Sequence, residues 1–105
     1  MTCLNCDYAK VGGNLFLDNS DVNLIMGSAV NSVIDGNNFQ QATTNANAAI
    51  MCDNFDGSMS GQYSGLVLSS NQINGNNLLC YGIELGPHPW YQSANIGGGF
   101  SVVGF

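Results

Sequence analysis

The apolar residues of this chain fall into short runs of strand length rather than into helical periods. Within the run at 78–85, Ile83 and Leu85 share one face and Glu84 lies on the other, because side chains alternate along a strand. No window shows a sustained helical period. The pattern predicts an all-β fold. The predicted strand runs, each bounded by Gly, Asn, Ser or Asp, span residues 22–26, 48–52, 65–68 and 78–85.

A six-residue pattern recurs three times along the chain. Each copy has an apolar residue, two small or turn residues, an Asn, any residue, and a large apolar residue. A degenerate fourth copy without the Asn occupies residues 96–100. The three full copies are Val11-Gly12-Gly13-Asn14-Leu15-Phe16, Ile34-Asp35-Gly36-Asn37-Asn38-Phe39 and Leu68-Ser69-Ser70-Asn71-Gln72-Ile73.

The spacing of these copies indicates a stack of similar coils. Asn14 and Asn37 are 23 residues apart, about one turn of a parallel β-helix, whereas Asn37 and Asn71 are 34 residues apart. The small pair before each Asn permits a sharp corner. Asparagines at the same corner of successive coils can bond to one another as a ladder of side-chain amides. A single coil cannot bury its apolar face, so such a chain gains stability only by stacking.

The sequence therefore predicts a right-handed parallel β-helix of about three to four coils. It would be a single domain over residues 1–105, with loop insertions near 53–65 and 86–95, and a fragment or subunit of a larger stack. A β-sandwich with Gly and Asn turns remains the alternative fold.

Composition narrows the choice of partners. Charged residues make up only 8% of the chain, and the net charge is −6, with Lys10 the only basic residue apart from His88. Nucleic acid and anionic membrane surfaces are therefore not expected partners. No stretch is long enough to span a bilayer.

The cysteines suggest a small metal-binding or redox protein, which is a less favoured interpretation. Cys3 and Cys6 form a C-x-x-C pair, which is a redox motif or half of a zinc site, but Cys52 and Cys80 stand too far apart to complete it. A small Cys-dependent metal module thus stays open as a hypothesis. The favoured interpretation is that the cysteines act as small buried apolar residues, with no metal site and no cofactor.

The three motifs resemble the coil repeats of the pectate-lyase-like superfamily of parallel β-helix proteins. Among its members the composition is most similar to a bacteriophage tailspike, which implies a polysaccharide or oligosaccharide ligand, an extracellular or virion-surface location, and a homo-oligomer, most often a trimer. The resemblance is one of fold and brings no catalytic signature.

Candidate catalytic chemistry rests on carboxylates. Glycoside hydrolysis needs two carboxyl groups flanking the scissile bond. We predict that Glu84 pairs with Asp53 or Asp56. A polysaccharide lyase is less favoured, because it needs positive charge beside the developing anion and the chain has one Lys and no Arg. The alternative is that the aspartates cap turns and that Glu84 is a solvated surface residue without a catalytic role.

Aromatic side chains near these carboxylates could hold sugar rings against their flat faces. The predicted substrate-binding residues are Tyr81, His88, Trp90 and Tyr91. The sequence thus predicts a carbohydrate-binding or carbohydrate-cleaving segment, and leaves open whether it is an enzyme. The alternative function is a non-enzymatic structural or adhesive module.

Overall fold

The computed structural model describes residues 1–52 and 62–85, and the backbone of one further strand at 101–103. All regular structure in this part of the chain is β-strand. The strands are β1 (Thr2–Cys3), β2 (Lys10–Gly12), β3 (Leu15–Leu17), β4 (Asp21–Met26), β5 (Val33–Asp35), β6 (Asn38–Gln40), β7 (Ala46–Cys52), β8 (Val67–Ser69), β9 (Gln72–Asn74), β10 (Leu79–Leu85) and β11 (Ser101–Val103).

These strands form three parallel sheets. Sheet A has the order β1-β4-β7-β10, sheet B the order β11-β8-β5-β2, and sheet C the order β3-β6-β9. Successive strands along the chain enter sheets A, B and C in turn, and each paired strand runs parallel to its neighbour. The all-β class is confirmed, and parallel pairing excludes the antiparallel β-sandwich for the described strands. The finer prediction, a right-handed parallel β-helix of about three to four coils, stays a prediction.

The recurring motif sets the register between strands of sheets B and C. Val11 of β2 lies beside Ile34 of β5, which lies beside Leu68 of β8. The same residue-for-residue match holds in sheet C, from Phe16 through Phe39 to Ile73. The predicted apolar runs at 22–26, 48–52, 65–68 and 78–85 correspond to β4, β7, β8 and β10.

The core is filled by the inward residues of all three sheets. Phe16 and Phe39 stack with ring centroids 4.6 Å apart and planes only 8° from parallel. The fully buried Tyr63 donates its hydroxyl proton to the carbonyl oxygens of Met26 at 2.6 Å and Gly27 at 2.9 Å. Its polar end is thus satisfied inside the core, as a buried hydroxyl requires.

The corner between sheets B and C has the same backbone conformation in the three copies of the motif that the structure describes. The residue before the Asn has a left-handed conformation, with φ of 68° at Gly13, 65° at Gly36 and 53° at Ser70. Glycine adopts this conformation without the Cβ clash that other residues suffer. The chain therefore turns sharply and points the next side chain, the Asn, toward the neighbouring corner.

The predicted asparagine ladder is confirmed. The backbone N–H and the side-chain Nδ2 of Asn14 both donate to Oδ1 of Asn37 at 3.0 Å. Asn37 repeats the arrangement toward Oδ1 of Asn71, at 3.0 Å from its backbone N and 2.9 Å from Nδ2. Asn37 and Asn71 are almost fully buried, so these bonds satisfy amides that water cannot reach.

A second corner, between sheets A and B, also uses left-handed residues. Tyr8, Asn31 and Gly65 have φ of 59°, 51° and 76°. Main-chain hydrogen bonds join each of these corners to the next. The N–H of Tyr8 donates to Val30 O and the N–H of Asn31 donates to Ser64 O, both at 2.8 Å. No residue type recurs at this corner, so the sequence offered no signal for it.

The cysteines differ from the sequence-based expectation. Cys3 and Cys6 are joined by a disulfide across a Cα–Cα distance of 5.9 Å. Cys52 is a buried free thiol in the core, as expected, but Cys80 is exposed. The prediction of buried apolar cysteines is therefore wrong for Cys80. It lies on the edge strand β10 beside Leu79, which packs against the core, and side chains alternate along a strand.

The described part of the chain contains no helix long and apolar enough to cross a membrane.

The predicted loop insertions near 53–65 and 86–95 lie largely outside the described residues, as does the fourth motif at 96–100. The single domain over 1–105 stays a prediction.

Candidate functional site

Of the three predicted catalytic carboxylates, the structure describes Glu84. Its side chain is half-buried on β10, and its Oε2 accepts a hydrogen bond from Nδ2 of Asn47 at 2.7 Å. The other two, Asp53 and Asp56, lie outside the described residues. The pairing of Glu84 with a second carboxylate thus stays a prediction.

Of the predicted substrate-binding residues, the structure describes Tyr81, which is 49% exposed. It pairs with Ala48 in register, and Glu84 pairs with Met51 three positions further along β7. Ala48 and Met51 belong to a small buried cluster with Val22, separate from the main core. The remaining predicted binding residues, His88, Trp90 and Tyr91, lie outside the described residues.

The described residues contain no group of three or more His, Cys, Asp or Glu side chains that could hold a metal ion. Asp7 and Asp35 instead accept hydrogen bonds from the following turn of chain. Asp7 Oδ1 accepts the N–H of Val30 at 2.8 Å, and Asp35 Oδ1 accepts the hydroxyl of Ser69 at 2.7 Å.

The outer face of sheet B carries a shallow groove of about 460 Å³ beside the glycine corner. Lys10, Asp35 and the glycines Gly12, Gly13 and Gly36 line it. A Cβ at Gly13 or Gly36 would meet nothing within 4 Å, whereas one at Gly12 would lie 3.1 Å from the carbonyl oxygen of Asp35. One cation and one anion line the groove together, which does not favour a strongly charged ligand.

The outer face of sheet C is the most regular surface that sequence reasoning missed. The residues on either side of the inward Phe16, Phe39 and Ile73 point outward, because strand side chains alternate. They form two columns across the three strands. The first column is Leu15, Asn38 and Gln72, and the second is Leu17, Gln40 and Asn74.

Four of these six outward side chains are amides, and none of the four has a partner among the described residues. Asn38 and Gln40 are half-exposed, and Gln72 and Asn74 are exposed. Their side chains make no hydrogen bond within the described ranges 1–52 and 62–85. We call Leu15, Leu17, Asn38, Gln40, Gln72 and Asn74 the amide face.

Buried amides elsewhere in the molecule show the contrast. Asn23, fully buried, donates from Nδ2 to Oε1 of Gln41 at 3.1 Å. Gln41 in turn donates from Nε2 to the carbonyl oxygen of Asn19 at 3.2 Å. These amides stabilise the fold, whereas the donors and acceptors of the amide face bond to no residue that the structure describes.

A sequence signal for the amide face does exist. In each motif, the positions next to the last apolar residue alternate with it, so they must point away from the core if that residue points inward. In the second and third motifs these flanking positions are Asn38, Gln40, Gln72 and Asn74.

The chain was compared with protein-family models, with curated proteins and with solved structures, and none of the three comparisons found a match. The resemblance to the pectate-lyase-like superfamily, and to a bacteriophage tailspike within it, is therefore wrong. The observed structure is a small all-β domain with three parallel sheets. The motif reflects corner geometry, which Gly and Asn supply in any stacked chain, and geometry of this kind does not identify a family.

Proposed function

We propose that this protein is a non-catalytic carbohydrate-binding domain that holds a neutral polysaccharide on its amide face. The observation that carries the proposal is the set of four unpartnered side-chain amides arranged in two columns on one sheet. It joins the two functions predicted from the sequence, carbohydrate binding and an adhesive module.

The chemistry of the amide face matches a neutral sugar chain. Each amide offers both donors and acceptors, as sugar hydroxyls do, so either partner can satisfy the other. Leu15 and Leu17 are 61% and 51% exposed and add apolar surface for the non-polar faces of sugar rings. The net charge of −6 disfavours polyanionic ligands.

The spacing of the amide face suits an extended ligand. Neighbouring strands are about 4.8 Å apart, and side chains two positions apart on one strand are about 6.6 Å apart. A polymer lying across the strands would meet Asn38 and then Gln72 in the first column. A polymer lying along the strands would meet both columns.

We also propose that the three-strand turns wind as a right-handed parallel β-helix. Two observations support it: strands enter the three sheets in a fixed rotation, and parallel crossover connections are right-handed in nearly all proteins. An extracellular location is part of the proposal, supported by the Cys3–Cys6 disulfide, because disulfides persist in oxidising compartments.

Catalysis by Glu84 is not part of this proposal. Its carboxylate is held by Asn47, which is consistent with a structural bond as well as with an oriented acid. Replacement of Glu84 by Gln, followed by an assay for new reducing ends, tests the glycosidase prediction separately.

Affinity electrophoresis through gels containing neutral glucans, mannans or galactans tests the proposed binding. We expect retardation of the wild-type protein by at least one of these polymers. The double variant Asn38→Ala/Gln72→Ala should bind about tenfold more weakly, since each lost hydrogen bond contributes about 0.5–1.5 kcal/mol. Circular dichroism should show an unchanged fold, because neither side chain bonds to any part of the protein that the structure describes.

Thr2→Ala is the matched control, because Thr2 is exposed on sheet A rather than sheet C. It should bind as the wild type does. Equal binding by the double variant and the wild type would move the site away from the amide face. Absence of retardation by every neutral polymer would overturn the proposed function.

A further inference from the structure

Asn74, in the second column of the amide face, is followed directly by Gly75, and it is the only Asn in the sequence followed by Gly. Glycine has no Cβ, so its backbone nitrogen approaches the preceding side chain without hindrance. An Asn-Gly step is therefore the sequence in which a side-chain amide is most open to attack by the chain itself.

The position of this step in the fold leaves the attacking nitrogen free. Asn74 is the last residue of β9, at the edge of sheet C in the described structure. Its carbonyl oxygen accepts the N–H of Gln41 at 3.0 Å, which holds one side of the strand. The N–H of Gly75 donates no hydrogen bond to any described residue.

The side chain of Asn74 is equally free. It is exposed and makes no hydrogen bond to the described protein, so it can rotate toward its own backbone. The left-handed residues Asn76 and Asn77, with φ of 49° and 61°, turn the chain away just after the step. The buried ladder asparagines, by contrast, have their amides fixed by several bonds.

We propose that Asn74 is a site of spontaneous deamidation that lowers carbohydrate binding as the protein ages. The backbone nitrogen of Gly75 loses its proton and attacks Cγ of Asn74, forming an N–Cγ bond. The Cγ–Nδ2 bond breaks, and the –NH2 group takes up a proton and leaves as ammonia, with a cyclic imide remaining. Water then adds to one of the two imide carbonyls and opens the ring. The products are an aspartate or an isoaspartate at position 74, each with a new carboxylate.

The effect of this reaction on binding rests on the proposed function, whereas the reaction itself does not. A carboxylate at position 74 loses the two amide donors and adds negative charge to the otherwise uncharged amide face. The isoaspartate product also inserts a methylene into the main chain, which shifts the carbonyl oxygen bonded to Gln41. Both changes act at the end of β9 and leave the buried core in place.

Peptide mass spectrometry on freshly purified and aged protein tests the reaction. After incubation in mildly alkaline buffer, the mass gain from amide to acid should appear at Asn74 and be several-fold larger there than at Asn19 or Asn31. These two residues are each followed by Ser and serve as internal controls. An unmodified Asn74, or equal gains at all three sites, would overturn the proposal.

Affinity electrophoresis of the same samples tests the consequence. Aged wild-type protein should lose binding several-fold and match fresh Asn74→Asp, whereas Asn74→Gln should bind alike before and after incubation, because its longer side chain does not close the same ring. Modification without loss of binding would overturn the regulatory effect. If fresh protein binds no polymer, the proposed function fails while the mass measurement still decides the modification.

Discussion

Asn37 and Asn38 are neighbours in sequence, yet the direction of each side chain gives them opposite roles. Asn37 points inward at a corner, is 1% exposed, and bonds to Asn14, Asn71 and the carbonyl oxygen of Val11. Asn38 points outward on β6, is half-exposed, and has a free amide. Residue type alone therefore does not distinguish a structural amide from a binding amide in this chain.

Substitution of the two asparagines should separate these roles. Asn37→Ala should lower the free energy of unfolding by about 2–3 kcal/mol, because it leaves buried donors and acceptors of the ladder unpaired. Asn38→Ala, the matched control, should change it by less than about 0.5 kcal/mol. Urea denaturation followed by circular dichroism measures both. Equal destabilisation by the two variants would contradict the assigned directions.

At the scale of the strand and its turn, corners are held by the residues of the neighbouring turn of chain. Asp18 follows β3, and its Oδ1 accepts the N–H groups of Ala42, Thr43 and Thr44 at 2.7, 2.9 and 3.2 Å. Its Oδ2 accepts the hydroxyl of Thr43 at 3.1 Å. One carboxylate thus organises the turn between β6 and β7.

These hydrogen bonds predict a dependence of stability on pH. The backbone N–H groups of Thr43 and Ala42 stabilise the charged carboxylate, so they lower the pKa of Asp18 below its ordinary value of 3.8. The stabilisation is present above pH 3.8 and is lost as the pH falls through the lowered pKa of the folded state.

Denaturation curves from neutral to acidic pH measure this effect. Asp18→Asn should remove part of the acid destabilisation, so the difference between the variant and the wild type should shrink as the pH falls. Asp21→Asn is the control, since Asp21 is exposed and its side chain has no bond to the described residues. A wild-type curve parallel to that of Asp18→Asn over the acidic range would exclude this role for Asp18.

For the whole molecule, the position of a strand within its sheet affects how far its side chains are exposed. Cys52 of β7 lies in the interior of sheet A between β4 and β10, whereas Cys80 lies on β10 at the edge of the described sheet. Burial raises the pKa of Cys52 to about 12. Because the thiolate is the reactive form, this thiol should be inert in the folded protein.

Thiol labelling near neutral pH should therefore report on folding. The native protein should react at Cys80 alone, the denatured protein at Cys52 and Cys80, and the reduced and denatured protein at all four cysteines. Counting labels by intact mass gives the result, and Cys80→Ser should abolish native labelling. Labelling of Cys52 at the rate of Cys80 would show that β7 is not buried as described.

Parts of this fold were predictable because a residue type repeats where a physical requirement repeats. The Asn at each corner and the inward apolar residues beside it gave the register from Val11 to Ile34 and on to Leu68. The second corner escaped prediction because Tyr8 and Asn31 meet the same backbone requirement with unrelated side chains.

The candidate site was less predictable than the fold. Of the residues chosen for it from the sequence, the structure describes Glu84 and Tyr81, both on β10. These residues were predicted from the chemical type of their side chains, and chemical type does not show which residues lie close together in the fold. The amide face depends instead on which side of a strand each amide occupies. Asn38 and Gln40 can be assigned to the outer face only once Phe39 is known to point inward.

The distance along the chain between paired strands has a consequence for folding. Each ladder bond closes a loop, of 23 residues from Asn14 to Asn37 and of 34 residues from Asn37 to Asn71. Loop-closure entropy grows only with the logarithm of length, so the longer loop costs only about 0.3 kcal/mol more. With no local hairpin in the described strands to start from, folding should be slow, yet the chain between β7 and β8 can accept extra residues at little thermodynamic cost.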